Sequence, residues 1–137
     1  MRRAKSLGCL LTVFATILSG STSAAHHEDL QPVAKPGEVI VTYRCECPSE
    51  AIDEAIALIK KTIAYERKNS PILYSSSPGV WSDGRIGAVD LHESEEAMEK
   101  AFAWQLTDEK WSTMYAEIAS RCGLTVEDFE VNSLVAR

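Results

Sequence analysis

The sequence lacks three features that would define a function class at once. It has no excess of basic residues, since 14 Lys and Arg stand against 20 Asp and Glu. It has no repeats, and beyond residue 18 no apolar run is long enough to cross a bilayer. An acidic protein does not bind nucleic acid or an anionic membrane surface through bulk charge. We therefore expect neither of these partners.

The first 25 residues are typical of a secretory signal peptide. Three basic residues among the first five precede an almost wholly apolar stretch at 7–18, and residues 19–25 are small and polar. The apolar stretch is too short to span a bilayer, and cleavage after Ala24 or Ala25 satisfies the small-residue rule. We predict export to the periplasm or secretion, with an N-terminal membrane anchor as the alternative. No membrane insertion is expected after cleavage.

Removal of residues 1–25 changes both the charge and the cysteine count. The segment carries three of the 14 basic residues and no acidic one, so 11 basic and 20 acidic residues remain and the net charge falls from −6 to −9. The four cysteines become three, namely Cys45, Cys47 and Cys122. In an oxidising compartment, three cysteines predict one disulfide and one free thiol.

The new N-terminus carries two histidines, and their meaning depends on the cleavage position. Cleavage after Ala24 would leave a free amine with His27 at the third position and His26 between them, an arrangement that chelates copper or nickel. Cleavage one residue later removes this motif, and a plain polar tail is the alternative interpretation. Residues 26–37, with two prolines, are expected to form an irregular leader.

Residues 38–137 alternate strand and helix patterns and are expected to form one domain. Alternating apolar residues at 38–47 predict a strand, and apolar residues at helical spacing predict a helix that ends near residue 68. An irregular strand at 72–82, an Asp83-Gly84 turn and a strand at 85–92 follow. A second helix, interrupted near Thr107, and a strand at 126–135 complete the chain. The order β-α-β-β-α-β predicts an α+β ferredoxin-like fold, with a four-stranded antiparallel sheet and the helices on one face.

This pattern resembles the dimeric α/β-barrel superfamily, which includes stress-responsive barrel proteins, NIPSNAP-type proteins and antibiotic-biosynthesis-type monooxygenases. The resemblance lies in VIVTY at 39–43, GVWSDGRIG at 79–87 and LHESEEA at 91–97. It implies a homodimer whose sheets close into one barrel, with a cavity for a small organic molecule. It implies no cofactor for this chain and leaves open whether it is an enzyme. If it is one, the chemistry implied is that of a cofactor-independent monooxygenase.

The three cysteines can be placed on this topology. The end of the first strand and the end of the second helix lie at the same edge of the domain. Cys45 and Cys47 share the helix-facing side of the strand, and Cys47 lies nearer that edge, so we predict a Cys47–Cys122 disulfide with Cys45 as the alternative partner. A reduced buried trio and a Cys-x-Cys metal or redox pair remain open.

Polar groups on the strands supply the candidate ligand site. Arg44, Asp90 and His92 are predicted to share the sheet face turned away from the helices. Such a group is suited to acid–base work or to binding a carboxylate-bearing ligand, although Arg44 and Asp90 can also form a structural ion pair. Trp81 and Tyr74, on the irregular second strand, are predicted to stack on a ligand.

These observations favour a protein that binds a small organic molecule, with catalysis left open. A non-catalytic interaction protein of the cell envelope is the first alternative, and copper or nickel binding at the N-terminus is the second. The small-molecule hypothesis requires an enclosed pocket, whereas the interaction-protein alternative predicts a filled barrel.

Overall fold

The computed structural model describes residues 30–137. The predicted signal peptide, its cleavage site, His26 and His27 lie outside these described residues, so their predictions stay open. The described chain forms a compact unit over Pro32–Arg137. Within it, no helix combines the length and the apolar character needed to cross a membrane.

Four strands and three helices build the domain. In chain order they are β1 (Val39–Cys45), α1 (Ile52–Asn69), β2 (Tyr74–Val80), β3 (Ile86–His92), α2 (Glu95–Thr107), α3 (Glu109–Arg121) and β4 (Glu130–Val135). The strands form one sheet in the order β2-β3-β1-β4, and each neighbouring pair is antiparallel. The predicted α+β ferredoxin-like fold is confirmed.

The hairpin between β2 and β3 follows from its turn residues. The backbone nitrogen of Trp81 donates to the Arg85 carbonyl at 2.7 Å, and Gly84 adopts a φ of 90° that residues with a side chain rarely accept. Gly87 matters for a different reason, because a Cβ there would collide with the Tyr43 carbonyl on β1. These glycines let β3 lie close against β1.

The predicted interruption of the second helix is confirmed, but its cap is one residue further along. Asp108 separates α2 from α3, and its carboxylate accepts a hydrogen bond from the Trp111 backbone nitrogen at 2.8 Å. The Thr107 hydroxyl instead donates back to the carbonyls of α2. The break allows α3 to turn and pack along α1.

The core between the sheet and the helices is apolar at the end nearest the disulfide. Buried side chains from β1, α1, β3 and α3 meet there, and they include Ile59, Ile86 and Ile118. Cys47 and Cys122 are disulfide-bonded, with their Cα atoms 4.6 Å apart, so the preferred pairing is confirmed. Cys45 is a buried free thiol, and its burial, with the nearby Glu46 charge, raises its pKa to about 11.

Candidate binding site

The register of the sheet shows that Asp90 and His92 lie beneath the helices. Asp90 pairs with Val41 and His92 pairs with Val39, and directly opposed residues of an antiparallel pair project to the same face. Both valines are fully buried, and Asp90 is only 3% exposed. The prediction that Arg44, Asp90 and His92 share the outer face is therefore wrong.

The error has a physical cause in β3 itself. Val89 and Leu91 suggested that their own side of the strand was the buried one, yet Val89 is 37% exposed and Leu91 is half-buried on the outer face. The fully buried Ile86 instead pairs with Cys45 and points towards the helices. Apolar residues on both sides of β3 hide its orientation until its partner strand is known.

Arg44 is the member of the trio that remains on the outer face. Its guanidinium lies 4.8 Å from the centre of the Trp81 ring and forms an ion pair with Asp83 at 2.5 Å. The predicted ion pair with Asp90 is not formed. Arg85 also contacts Asp83 and reaches Glu130 on β4. Arg44 and Trp81 therefore belong to a charged cluster at the hairpin, apart from Asp90 and His92.

A polar chamber lies between the sheet and the helices. Its cavity volume is about 40 Å³, which is room for more than one water molecule. Its apolar and aromatic side chains are Tyr43, Ile59, Ile63, Ala88, Trp111, Tyr115, Ile118 and Phe129. Its polar side chains are Thr62, Glu66, Ser76, Asp90 and Gln105. No lysine or arginine is among the lining residues, so the chamber holds two carboxyl groups without a basic partner.

Asp90 is the central polar group of this chamber. Its Oδ1 atom is buried and has no hydrogen-bond partner among the described residues. Burial raises the pKa of Asp90 to about 7, and the nearby Glu66 carboxylate adds to this shift, whereas the polar side chains of Ser76 and Tyr43 beside the carboxyl group oppose it. A carboxyl group with this pKa is partly protonated at neutral pH, so it can either donate or accept a proton.

Tyr43 supplies a second unpartnered polar atom. Its hydroxyl oxygen is buried in the chamber without a hydrogen-bond partner in the described structure. Burial, together with the nearby Asp90 charge, raises the pKa of Tyr43 far above its usual range, so the phenol stays protonated and can donate. Tyr43 pairs with Ala88, two residues from Asp90, which is the diagonal spacing of about 7 Å that long side chains can bridge.

Glu66 and Tyr74, in contrast, already have partners. The indole nitrogen of Trp111 donates to Glu66 at 2.6 Å, and the Gln105 amide donates to the Tyr74 hydroxyl at 3.2 Å. Burial still raises the pKa of Glu66, although the Trp111 hydrogen bond opposes this shift. These pairs hold the wall of the chamber in place, whereas Asp90 Oδ1 and Tyr43 Oη have no hydrogen-bond partner among the described residues.

His92 is completely buried beside the chamber, and neither ring nitrogen has a partner within the described chain. Its ring stacks on Tyr74 with centroids 4.7 Å apart, and the Phe102 ring meets it edge-on at 6.1 Å. Burial lowers the pKa of His92, so the ring is held neutral. Tyr74 was predicted to stack on a ligand, but in this structure its ring stacks on His92.

The chamber adjoins an apolar groove on the surface. This groove, of about 500 Å³, runs between the second and third helices and the β4 edge of the sheet. Tyr43, Gln105, Trp111 and Tyr115 line both the groove and the chamber. These four side chains form the boundary that the two spaces share, and the groove is the wider of the two.

Several chamber residues were missed by the sequence analysis, and one of them carried a readable signal. Glu66 continues the apolar stripe of α1, because it follows Ile59 and Ile63 at helical spacing, and it is only 7% exposed. A carboxylate on an otherwise apolar stripe indicates a buried charge. Tyr43, Gln105 and Trp111 had no comparable signal, because aromatic or amide residues at core spacing are common.

No metal centre is formed in the part of the chain that the structure describes, where no cluster of three or more histidine, cysteine or acidic residues could hold an ion. The Cys-x-Cys metal pair that the sequence left open does not form, since Cys47 is bonded to Cys122.

Comparison with known proteins shows the fold. No family model matches the chain, and no curated protein does. Solved structures do match. A conserved protein from Methanosarcina mazei is 12% identical, with a TM-score of 0.55, over 73% of this chain and 93% of its own. A proposed antibiotic biosynthesis monooxygenase from Caulobacter crescentus is 13% identical, with a TM-score of 0.54, over 74% and 92%.

A mutant of SnoaB, a cofactor-independent oxygenase from Streptomyces nogalater, is 15% identical, with a TM-score of 0.51, over 74% of this chain and 94% of its own. The chain therefore shares the ferredoxin-like fold of these solved structures. The resemblance seen in the sequence is confirmed at the level of the fold, and one fold supports many activities.

Proposed function

We propose that this protein binds a small, uncharged organic molecule whose ring lies in the groove and whose polar end enters the chamber. The observation that carries this proposal is the pair of unpartnered polar atoms, Asp90 Oδ1 and Tyr43 Oη, in a space walled by aromatic rings. A buried polar atom without a partner costs about 1–3 kcal/mol. A ligand hydroxyl or carbonyl would supply the missing hydrogen bonds.

The sizes of the two spaces support this division of the ligand. Sites for drug-sized molecules usually measure roughly 300–1,000 Å³. The chamber alone is far smaller, whereas the adjoining groove reaches about 500 Å³. The chamber therefore suits one polar group and the groove suits a flat apolar body.

The charge of the chamber argues against an anionic ligand. Asp90 and Glu66 face the space and no basic side chain lines it, so a ligand carboxylate would meet only like charge. This replaces the expectation of a carboxylate-bearing ligand, which depended on Arg44. The solved structures with this fold, one of them a cofactor-independent oxygenase, support a small-molecule role without naming the molecule.

Binding of 2-naphthol tests this proposal, with naphthalene as the matched compound that lacks the hydroxyl. We expect 2-naphthol to bind at least tenfold more tightly in calorimetry and to shift the NMR signals of Tyr43 and Trp111. Asp90→Asn should change the preference for 2-naphthol over naphthalene. Asp53→Asn, at an exposed position on α1, should leave that preference unchanged. Equal affinity for both compounds, or shifts confined to the outer face, would contradict the site.

We also propose that the domain works as an exported homodimer. Export is supported by the Cys47–Cys122 disulfide, because such bonds persist in oxidising compartments. Dimer formation is supported by the resemblance to dimeric barrels and by the outer sheet face, where Leu134 is 58% exposed and Val89 is 37% exposed. Leu134→Lys should convert the dimer to a monomer in light scattering, and a monomeric parent protein would refute this part. Intact-mass analysis of protein from its own host should show a chain that begins at residue 25 or 26.

A further inference from the structure

Asp90 and Tyr43 supply the chamber with a proton acceptor and a hydrogen-bond donor. Asp90 and Tyr43 project from neighbouring strands onto the same face and line the same space. Each has a buried oxygen without a partner in the described structure. Among the other polar residues of the wall, Glu66 is hydrogen-bonded to Trp111 and Gln105 to Tyr74.

We propose that Asp90 and Tyr43 form a proton-transfer pair that interconverts the keto and enol forms of a small aromatic ketone. This inference rests on the proposed function, in which the chamber is a ligand site. The arrangement is a base beside an oxygen-binding donor. A ketone oxygen placed against the Tyr43 hydroxyl would hold the adjacent carbon near Asp90, because the two residues lie at diagonal positions of one ladder.

The reaction needs no further reactant. The Asp90 carboxylate takes a proton from the carbon next to the carbonyl, and the C–H bonding electrons form the C=C bond. The negative charge moves to the carbonyl oxygen, where the Tyr43 hydroxyl stabilises it by hydrogen bonding. Asp90 then returns a proton to carbon or oxygen. Because the groove opens to solvent, the proton on Asp90 can exchange with water between turnovers.

The environment of Asp90 suits this role. Its pKa near 7 makes it a stronger base than an exposed carboxylate, and it remains partly ionised at neutral pH. Tyr43 stays protonated over the whole working range, so it acts as a donor and does not compete for the proton. The other ionisable groups whose charges reach Asp90 come from α1, β2 and α3, and they are Glu66, Tyr74 and Tyr115.

Solvent exchange at the carbons next to the carbonyl of 2-tetralone provides the test. This bicyclic ketone is incubated with protein in D2O, and the loss of its proton signals is followed by NMR. We expect the protein to accelerate exchange about 100-fold over buffer, a size typical of general-base catalysis. The rate should rise with pH and level off above about 7, following ionisation of Asp90.

Single substitutions distinguish the roles of Asp90 and Tyr43 from general effects on folding. Asp90→Asn should return exchange to the buffer rate, and Tyr43→Phe should slow it about tenfold while leaving the pH profile in place. Asp53→Asn, on the exposed side of α1, should match the parent protein. Circular dichroism and thermal unfolding confirm that each variant is folded.

The outcomes also distinguish this inference from the binding proposal. Binding of 2-tetralone without acceleration would overturn the proton-transfer pair and leave the binding site standing. Acceleration that survives Asp90→Asn would also overturn it, because another group would then be the base. Failure of both 2-tetralone and 2-naphthol to bind would overturn the binding proposal itself.

Discussion

The space between the sheet and the helices has two ends with opposite character. The apolar end contains Cys45, Ala55 and Ile86 and is closed by the Cys47–Cys122 disulfide. The polar end contains six buried polar residues, Thr62, Glu66, Ser76, Asp90, His92 and Gln105. Both ends are built from the same strands and helices, so the fold itself does not require the polar end.

The difference indicates where the protein gains stability and where it gives some up. Burial of apolar side chains stabilises the first end at about 25 cal/mol per Å². The second end buries oxygen and nitrogen atoms without partners, and such atoms are costly. Destabilising polar groups clustered beside a cavity are typical of functional sites, where binding or catalysis restricts what stability alone would choose.

The largest expected effect comes from opening the apolar end. Replacing both Cys47 and Cys122 with alanine removes a bond that closes a loop with a sequence separation of 75 residues. The chain-entropy estimate for such a loop is a loss of about 4 kcal/mol in the free energy of unfolding. Urea denaturation measures this loss. Cys45→Ala, which removes only a buried thiol, should cost about 1 kcal/mol, and equal losses for the two changes would contradict the role of the disulfide.

At the polar end, Asp90→Asn should make the protein more stable. The folded-state pKa of about 7 is above the ordinary aspartate pKa of 3.8, so the folded state loses stability as pH rises between these values. The variant escapes this loss. Its advantage should be close to zero at pH 4 and reach about 4 kcal/mol above pH 7. Urea denaturation at several pH values checks this, and a variant that is less stable at pH 8 would show that Asp90 has a stabilising partner.

A smaller loss should follow from breaking the one buried hydrogen bond to Glu66. Trp111→Phe keeps an aromatic ring in the chamber wall but removes the indole nitrogen that donates to this carboxylate at 2.6 Å. Hydrogen bonds to charged groups contribute about 2 kcal/mol. Trp104→Phe, at a tryptophan that stacks on Tyr65, is the matched control for thermal unfolding. Similar shifts for both variants would mean that ring packing, and not the hydrogen bond, matters.

The smallest effect is expected at His92. His92→Phe keeps the contacts with Tyr74 and Phe102 and removes two unpartnered nitrogens, so a gain of about 1 kcal/mol is expected at pH 7. Burial lowers the pKa of His92 below 6.5, so the parent protein loses stability as pH falls below that value. The advantage of the variant should therefore grow on acidification. Thermal unfolding at pH 7 and pH 5 measures it, and a constant difference would exclude protonation of His92 as the cause.

The sequence predicted much of the apolar end and little of the polar end. Alternation in β1 and the predicted topology, which brings the end of the second helix to the same edge, were enough to place Cys47 beside Cys122. The same reasoning assigned Asp90 and His92 to the wrong face, because Val89 and Leu91 imitate a buried side. Glu66 was readable in principle from its position on the apolar stripe of α1. Tyr43 and Trp111 were not, since their polar atoms matter only next to residues from other elements.

The sequence by itself determined the order of strands and helices, the hairpin at Asp83-Gly84, the break before α3 and the disulfide, because each depends on short-range spacing or on topology. Only the tertiary structure decided which side of β3 faces the helices and which polar groups meet there. Those depend on the register between β1 and β3, where Val41 opposite Asp90 places a carboxyl group in the core. A chamber whose walls come from separate elements is a property of their packing, and no local pattern in the chain records it.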